Sequence, residues 1–142
     1  MRIQKSSSNI LIKNLRKLLI LIFLSMGFIL FSQESDKQSI HQAFRDSDSK
    51  ELSKYFNHTL QLTIPKVNGN YSKVQARSIL GDFFETYPAK EITILKEGDI
   101  RIGQHFCIIA YKSHVKNFQI YYHFEKRDKL YLIQEIQIRE KE

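Results

Sequence analysis

"SKVQARSILGDFFETYP", residues Ser72 to Pro88, is the stretch that decides the architecture. Ser72-x-x-Gln75 reads as a capping box, in which each side chain satisfies an orphan backbone N–H of the other residue. Ala76, Ile79, Leu80, Phe83, Phe84 and Tyr87 follow at helical spacing and form one broad apolar face. Pro88 cannot continue a helix and ends it. A face this wide and this aromatic needs a large apolar surface to lie on.

The chain after Pro88 supplies that surface. Ile92, Ile94 and the run Ile100 to Lys112 read as strands, with a turn expected at Gly98. Phe118, Ile120, Tyr122 and Phe124 alternate with Gln119, Tyr121 and His123, the period of a strand with one face buried. Lys126 to Lys129 is a charged turn. A last strand spans Leu130 to Arg139, with Leu130, Leu132, Ile136 and Ile138 in one register.

Upstream of Ser72 the pattern is shorter. Ser35-x-x-Gln38 caps a helix carrying Ile40, Ala43 and Phe44, and Asp48-x-x-Glu51 caps a second carrying Leu52, Tyr55 and Phe56. Both are too short to persist without packing. Leu60, Leu62 and Ile64 alternate with Thr59, Gln61 and Thr63 as a strand. Pro65 to Asn70, with its Asn-Gly-Asn, is expected to be a turn. Two helices, a strand, a long helix and an antiparallel meander of about four strands make an α+β domain, helices on one face of a curved antiparallel sheet.

The N-terminal segment has a different character. Arg2, Lys5, Lys13, Arg16 and Lys17 precede an uncharged core of 14 residues, Leu18 to Phe31, and the first acidic residue is Glu34. A membrane-spanning helix needs roughly 20 apolar residues, whereas a secretory signal core has about 7 to 15. The pattern predicts a signal peptide over 1–32, cleaved after Ser32, and a mature domain over 33–142 in the periplasm or outside the cell. The alternative is an uncleaved anchor, extended upstream by Ile10 to Leu15. Neither a lipid anchor, which would need a nearby cysteine, nor a stable membrane anchor after cleavage is expected.

Removing that segment changes the charge argument. The whole chain carries 22 basic and 15 acidic residues, a net of +7. Five of the basic residues and none of the acidic ones lie in 1–32, so the mature chain has 17 against 15, a net of +2. Its near-neutral charge argues against a nucleic-acid partner. The one cysteine, Cys107, cannot form an intramolecular disulfide and reads as a buried strand residue.

Ala43-Phe44, Asp46 to Asp48, Leu52 and Phe56, followed by an alternating strand, resemble the opening of the nuclear transport factor 2-like (cystatin-like) superfamily. "LSKYFNHTLQLTI", "YSKVQARSILGDFF" and "IQEIQIRE" resemble domain-of-unknown-function family 4783, whose members are small exported bacterial proteins. The resemblance covers nearly all of residues 35 to 140 and implies a cone, a bent sheet wrapped around helices. It implies no single activity, because the superfamily hosts isomerases, cyclases, ligand carriers and dimerisation modules.

No catalytic set of that superfamily maps onto these residues. The polar exceptions on the inward register are Tyr122 and Gln134, which line a ligand pocket or, alternatively, mark a bulge that turns Gln134 outward. His105, His114 and His123 lack the spacing and convergence of a metal site, so no metal or cofactor is expected. Asp82 and Glu85 should face solvent. The expected role is a non-enzymatic binding or assembly module. It homodimerises through the outer sheet face, where Tyr121, His123, Tyr131 and Ile133 are placed, and an unidentified protein or small molecule is a further partner. A small-molecule carrier and an isomerase or cyclase are the alternatives. Phe44, Phe56, Phe83, Phe84, Phe118 and Phe124 favour a filled cone and weaken both.

Overall fold

The computed structural model describes residues 4–26 and 35–142, in two units that divide at Ser35. The first unit holds helix α1 (Gln4–Met26). Among the described residues no helix is long and apolar enough to cross a membrane. The expected cleavage point after Ser32 lies outside the described residues.

The second unit begins with α2 (Ser35–Arg45) and α3 (Ser49–Ser53). Asp48 caps α3, its carboxylate accepting from the Lys50 and Glu51 N–H groups at 2.9 Å each. That cap starts the helix where the sequence pattern put it, but the helix lasts one turn. Tyr55 and Phe56 leave it, and Phe56 opens strand β1 (Phe56–Ile64). A two-residue turn at Pro65 and Lys66 follows, with Lys66 at φ +72°, and β2 (Val67–Ser72) returns antiparallel to β1. Most of the Pro65 to Asn70 stretch is therefore strand, not turn. Proline pre-sets the corner, and pairing with β1 then overrides the loop-forming character of Asn68-Gly69-Asn70. Thr63 Oγ1 donates to Asn68 Oδ1 across the pair at 3.1 Å.

Helix α4 (Lys73–Thr86) forms as its cap dictates. The Gln75 N–H donates to Ser72 Oγ (3.3 Å) and the Ser72 N–H to Gln75 Oε1 (3.0 Å). Its face buries Ala76, Leu80, Phe83 and Phe84. Each of the three larger side chains contributes about 1.5–3 kcal/mol by leaving water.

Strands β3 (Ala89–Arg101), β4 (Gln104–Ser113), β5 (Asn117–Arg127) and β6 (Leu130–Lys141) form the meander. The turn between β3 and β4 is at Ile102–Gly103, with Gly103 at φ +77°, and not at Gly98. Gly98 lies inside β3 opposite Phe106. A Cβ added there would stand 3.1 Å from Phe106 Cε1, so the glycine serves the close approach of a ring.

The sheet has six strands in the order β2-β1-β6-β5-β4-β3. All neighbours are antiparallel except β1 and β6, which run parallel. The sheet is thus mixed where pure antiparallel pairing was expected. The final strand completes the meander beside β5, and β1 meets its free edge in the same direction. Ile40 and Phe44 of α2, Leu52 of α3, the α4 face and the inward residues of the sheet make one core. The six phenylalanines expected inside are all buried. Phe83 and Phe84 lie against Tyr111 and each other, and Phe83 meets Phe118 edge-on.

Candidate functional site

Two places concentrate chemistry, one on each face of the sheet. On the inner face, α2 brings His41 over β4, and β3 brings Glu97 directly across from Cys107. One ligand atom from each of the three lies within 4.8 Å of the other two. His41 Nε2 is 3.6 Å from Cys107 Sγ. His41 and Cys107 are buried, while Glu97 is exposed and links the pair to solvent.

The surroundings keep the metal-free pair uncharged. Burial holds the His41 imidazole below its ordinary pKa, against the upward pull of the Glu97 carboxylate; Arg45 and Lys37 lower it further. Burial pushes the Cys107 thiol up, so it is not an activated nucleophile. Tyr122, hydrogen-bonded to Cys107, is pushed up by burial as well. Around the cluster, Tyr122 meets His41 edge-on, His105 stacks on Phe124, and Lys37 Nζ sits 5.7 Å above the Phe124 ring. His105 Nδ1 also pairs with Asp99 Oδ1, two residues along β3 from Glu97.

On the outer face, Phe106, Ile108 and Tyr121 form a half-buried apolar row. Phe106 stacks on Tyr121 with ring centroids 6.2 Å apart, and Lys96 Nζ lies 5.9 Å from the Phe106 centroid. Beside the row is a depression of about 330 Å³ lined by Ile108, Gln119, Tyr121, Glu135, Gln137 and Arg139. Glu125 and Glu135 border the row on the β5 and β6 side, interleaved with Arg127, which pairs with Glu125 at 3.3 Å, and with Arg139. Lys96 and Arg101 border it on the β3 side.

The sequence profile described as "Domain of unknown function (DUF4783)" matches residues 37–139. The chain belongs to the DUF4783 family. Solved structures agree. A DUF4783 protein from Bacteroides ovatus is 25% identical, with a TM-score of 0.69 over 73% of this chain and 94% of that one. Another from Bacteroides uniformis is 24% identical, with a TM-score of 0.69 over 74% and 96%. A cystatin-like domain of unknown function from Nostoc punctiforme shares the fold at 13% identity, with a TM-score of 0.60 over 79% of each chain. No curated protein matches. This DUF4783 protein therefore has a nuclear transport factor 2-like, or cystatin-like, α+β fold, in a family described as a domain of unknown function.

Within the DUF4783 fold the expected site residues separate. Tyr122 is in the core beside Phe44 and Phe124. Gln134 is the extra residue of a bulge between the pairs Tyr122–Ile136 and Phe124–Ile133. It accepts from Asn57 Nδ2 at 2.7 Å and points its own amide at Glu125, 3.4 Å away. The bulge takes Gln134 out of the inward register that Tyr122 occupies.

The same bulge reassigns two of the four expected interface residues. Ile133 is fully buried opposite Phe124, and Tyr131 packs edge-on against Phe124 on the inner side. Tyr121 and His123 remain on the outer face, half-buried. Among the described residues the His123 Nε2 is the one buried side-chain nitrogen or oxygen without a partner. His105 and His123 point to opposite faces and His114 is exposed in the β4–β5 turn, so these three do not converge.

His41 and Glu97 were missed by the sequence reading, and Cys107 was read as core. The signal existed in the strand register. A turn at Ile102–Gly103 sets Glu97 opposite Cys107, whereas a turn at Gly98 removes Glu97 from the pairing altogether. His41 comes from a helix more than fifty residues upstream, and no local motif announces it.

Proposed function

We propose that this protein is an exported, non-enzymatic assembly module that homodimerises through the outer face of its sheet. The observation that carries the reading is the half-buried Phe106–Ile108–Tyr121 row on the outer face, with Glu125 and Glu135 among the residues on its β6 side and Lys96 and Arg101 on its β3 side. A two-fold axis lying between two such faces, along the strands, sets the β6 side of one copy over the β3 side of the other. Glu125 and Glu135 then meet Lys96 and Arg101, and the aromatic row meets itself, as an isologous interface requires. The six buried phenylalanines fill much of the core, and the carrier and isomerase readings are left with the cavity of about 450 Å³ that Phe83 and Phe118 line with Ile79, Asp82, Tyr87 and Lys116. The short apolar core and basic flank of the leading segment support export.

The test is sedimentation velocity on protein recovered from the extracytoplasmic fraction, its N-terminus read by mass spectrometry. A dimer beginning at Gln33 is expected, and Tyr121→Glu should return it to monomer while leaving the far-ultraviolet spectrum unchanged. A wild-type chain that is monomeric at high micromolar concentration refutes the assembly, and retention of the intact leading segment refutes cleavage.

A further inference from the structure

We propose that His41, Glu97 and Cys107 bind one zinc ion and leave its fourth coordination position open. The spacing carries the argument. With Zn–S near 2.3 Å and Zn–N near 2.0–2.1 Å, two ligands of a tetrahedral zinc stand about 3.5 Å apart. His41 Nε2 and Cys107 Sγ are 3.6 Å apart with no ion between them. A carboxylate oxygen of Glu97 lies within 4.8 Å of both, on an exposed side chain that can close the remaining distance by rotation.

Placement supports the chemistry. Two ligands come from strands held in register across the β3–β4 pair, and the third from a helix fixed by Ile40, Ala43 and Phe44 in the core. Imidazole, thiolate and carboxylate are the donors that a metal of intermediate softness prefers. On binding, Cys107 loses its proton to solvent and the site's two negative charges match the divalent ion. The Tyr122 hydroxyl beside Cys107 can donate to the thiolate and hold it in place. Lys37 and Arg45, one turn to either side of His41, oppose the cation and moderate its affinity. Glu97 faces solvent, which gives the ion its entry path and the open position. The site is on the inner face and stands or falls independently of the dimer.

Cobalt(II) is the probe, because a cobalt–thiolate bond absorbs in the near ultraviolet and reports Cys107 directly. The purified chain, kept reduced with a phosphine, should develop that band with one equivalent of cobalt and lose it when zinc is added. Cys107→Ser should abolish the band. Glu97→Gln, a surface change that leaves the core intact, should weaken binding by about 10-fold or more. A folded wild-type chain that gives no cobalt–thiolate band overturns the site. So does a Glu97→Gln chain that binds as tightly as wild type.

Discussion

Tyr111→Phe tests how the helical layer is tied to the sheet. The Ala89 N–H donates to Ser47 Oγ (2.7 Å), and Ser47 Oγ stands 3.1 Å from the Tyr111 hydroxyl. That hydroxyl donates to the Tyr87 carbonyl at 2.6 Å, which directs the Ser47 hydrogen onto it. The chain of bonds joins the α2–α3 turn, the end of α4 and the start of β3. Phenylalanine keeps the ring against Phe83 and Phe84, so the loss is confined to the hydroxyl. A net hydrogen bond is worth about 1 kcal/mol, and an acceptor left unpaired costs a further 1–3 kcal/mol when fully buried. Tyr87 and Ser47 are half-buried, so the expected cost is about 2 kcal/mol. With a urea slope near 1.5 kcal/mol/M, the unfolding midpoint should fall by roughly 1.3 M. A double-mutant cycle with Ser47→Ala should show a coupling of about 1 kcal/mol. Strict additivity, or a midpoint shift below about 0.3 M, refutes the network. Burial also pushes the Tyr111 phenol up. The folded protein therefore keeps it neutral while the unfolded chain ionises near pH 10. Its stabilisation is complete below about pH 10 and declines above it, and the phenylalanine variant should lack that part of the alkaline decline.

Two further outcomes follow from backbone and packing. Gly98→Val places a side chain against the Phe106 ring and should cost about 1–3 kcal/mol in a urea melt, whereas a simple loop position would tolerate it. Ser72→Ala removes the hydroxyl that accepts from the Gln75 N–H, one arm of the α4 capping box, and should cost about 1 kcal/mol; an unchanged melt would show that packing alone defines the helix start.

The elements that were legible in sequence are those whose signals are local. The cap at Ser72, the apolar face to Tyr87 and the stop at Pro88 needed nothing beyond α4 itself, and the structure has them. The strand that carries Phe118 to Phe124 was equally plain, because alternation over seven residues admits one inward face. Errors arose where glycine or asparagine was read as punctuation. Gly69 and Gly98 both lie inside strands, one on an edge and one under an aromatic ring, and composition alone does not distinguish those roles from a turn.

By itself the sequence determined the α+β class, the span of α4 and most of the residues that fill the core, since burial of apolar periodic faces dominates folding whatever the exact pairing. Tertiary structure decided the register. One extra residue at Gln134 moved Ile133 into the core and Gln134 out of it, and a turn four residues later than expected brought Glu97 to Cys107. Side chains alternate every residue along a strand, so a shift of one position exchanges the two faces. The candidate sites depend on that parity, and it is set by bulges and turns formed only when all six strands pair.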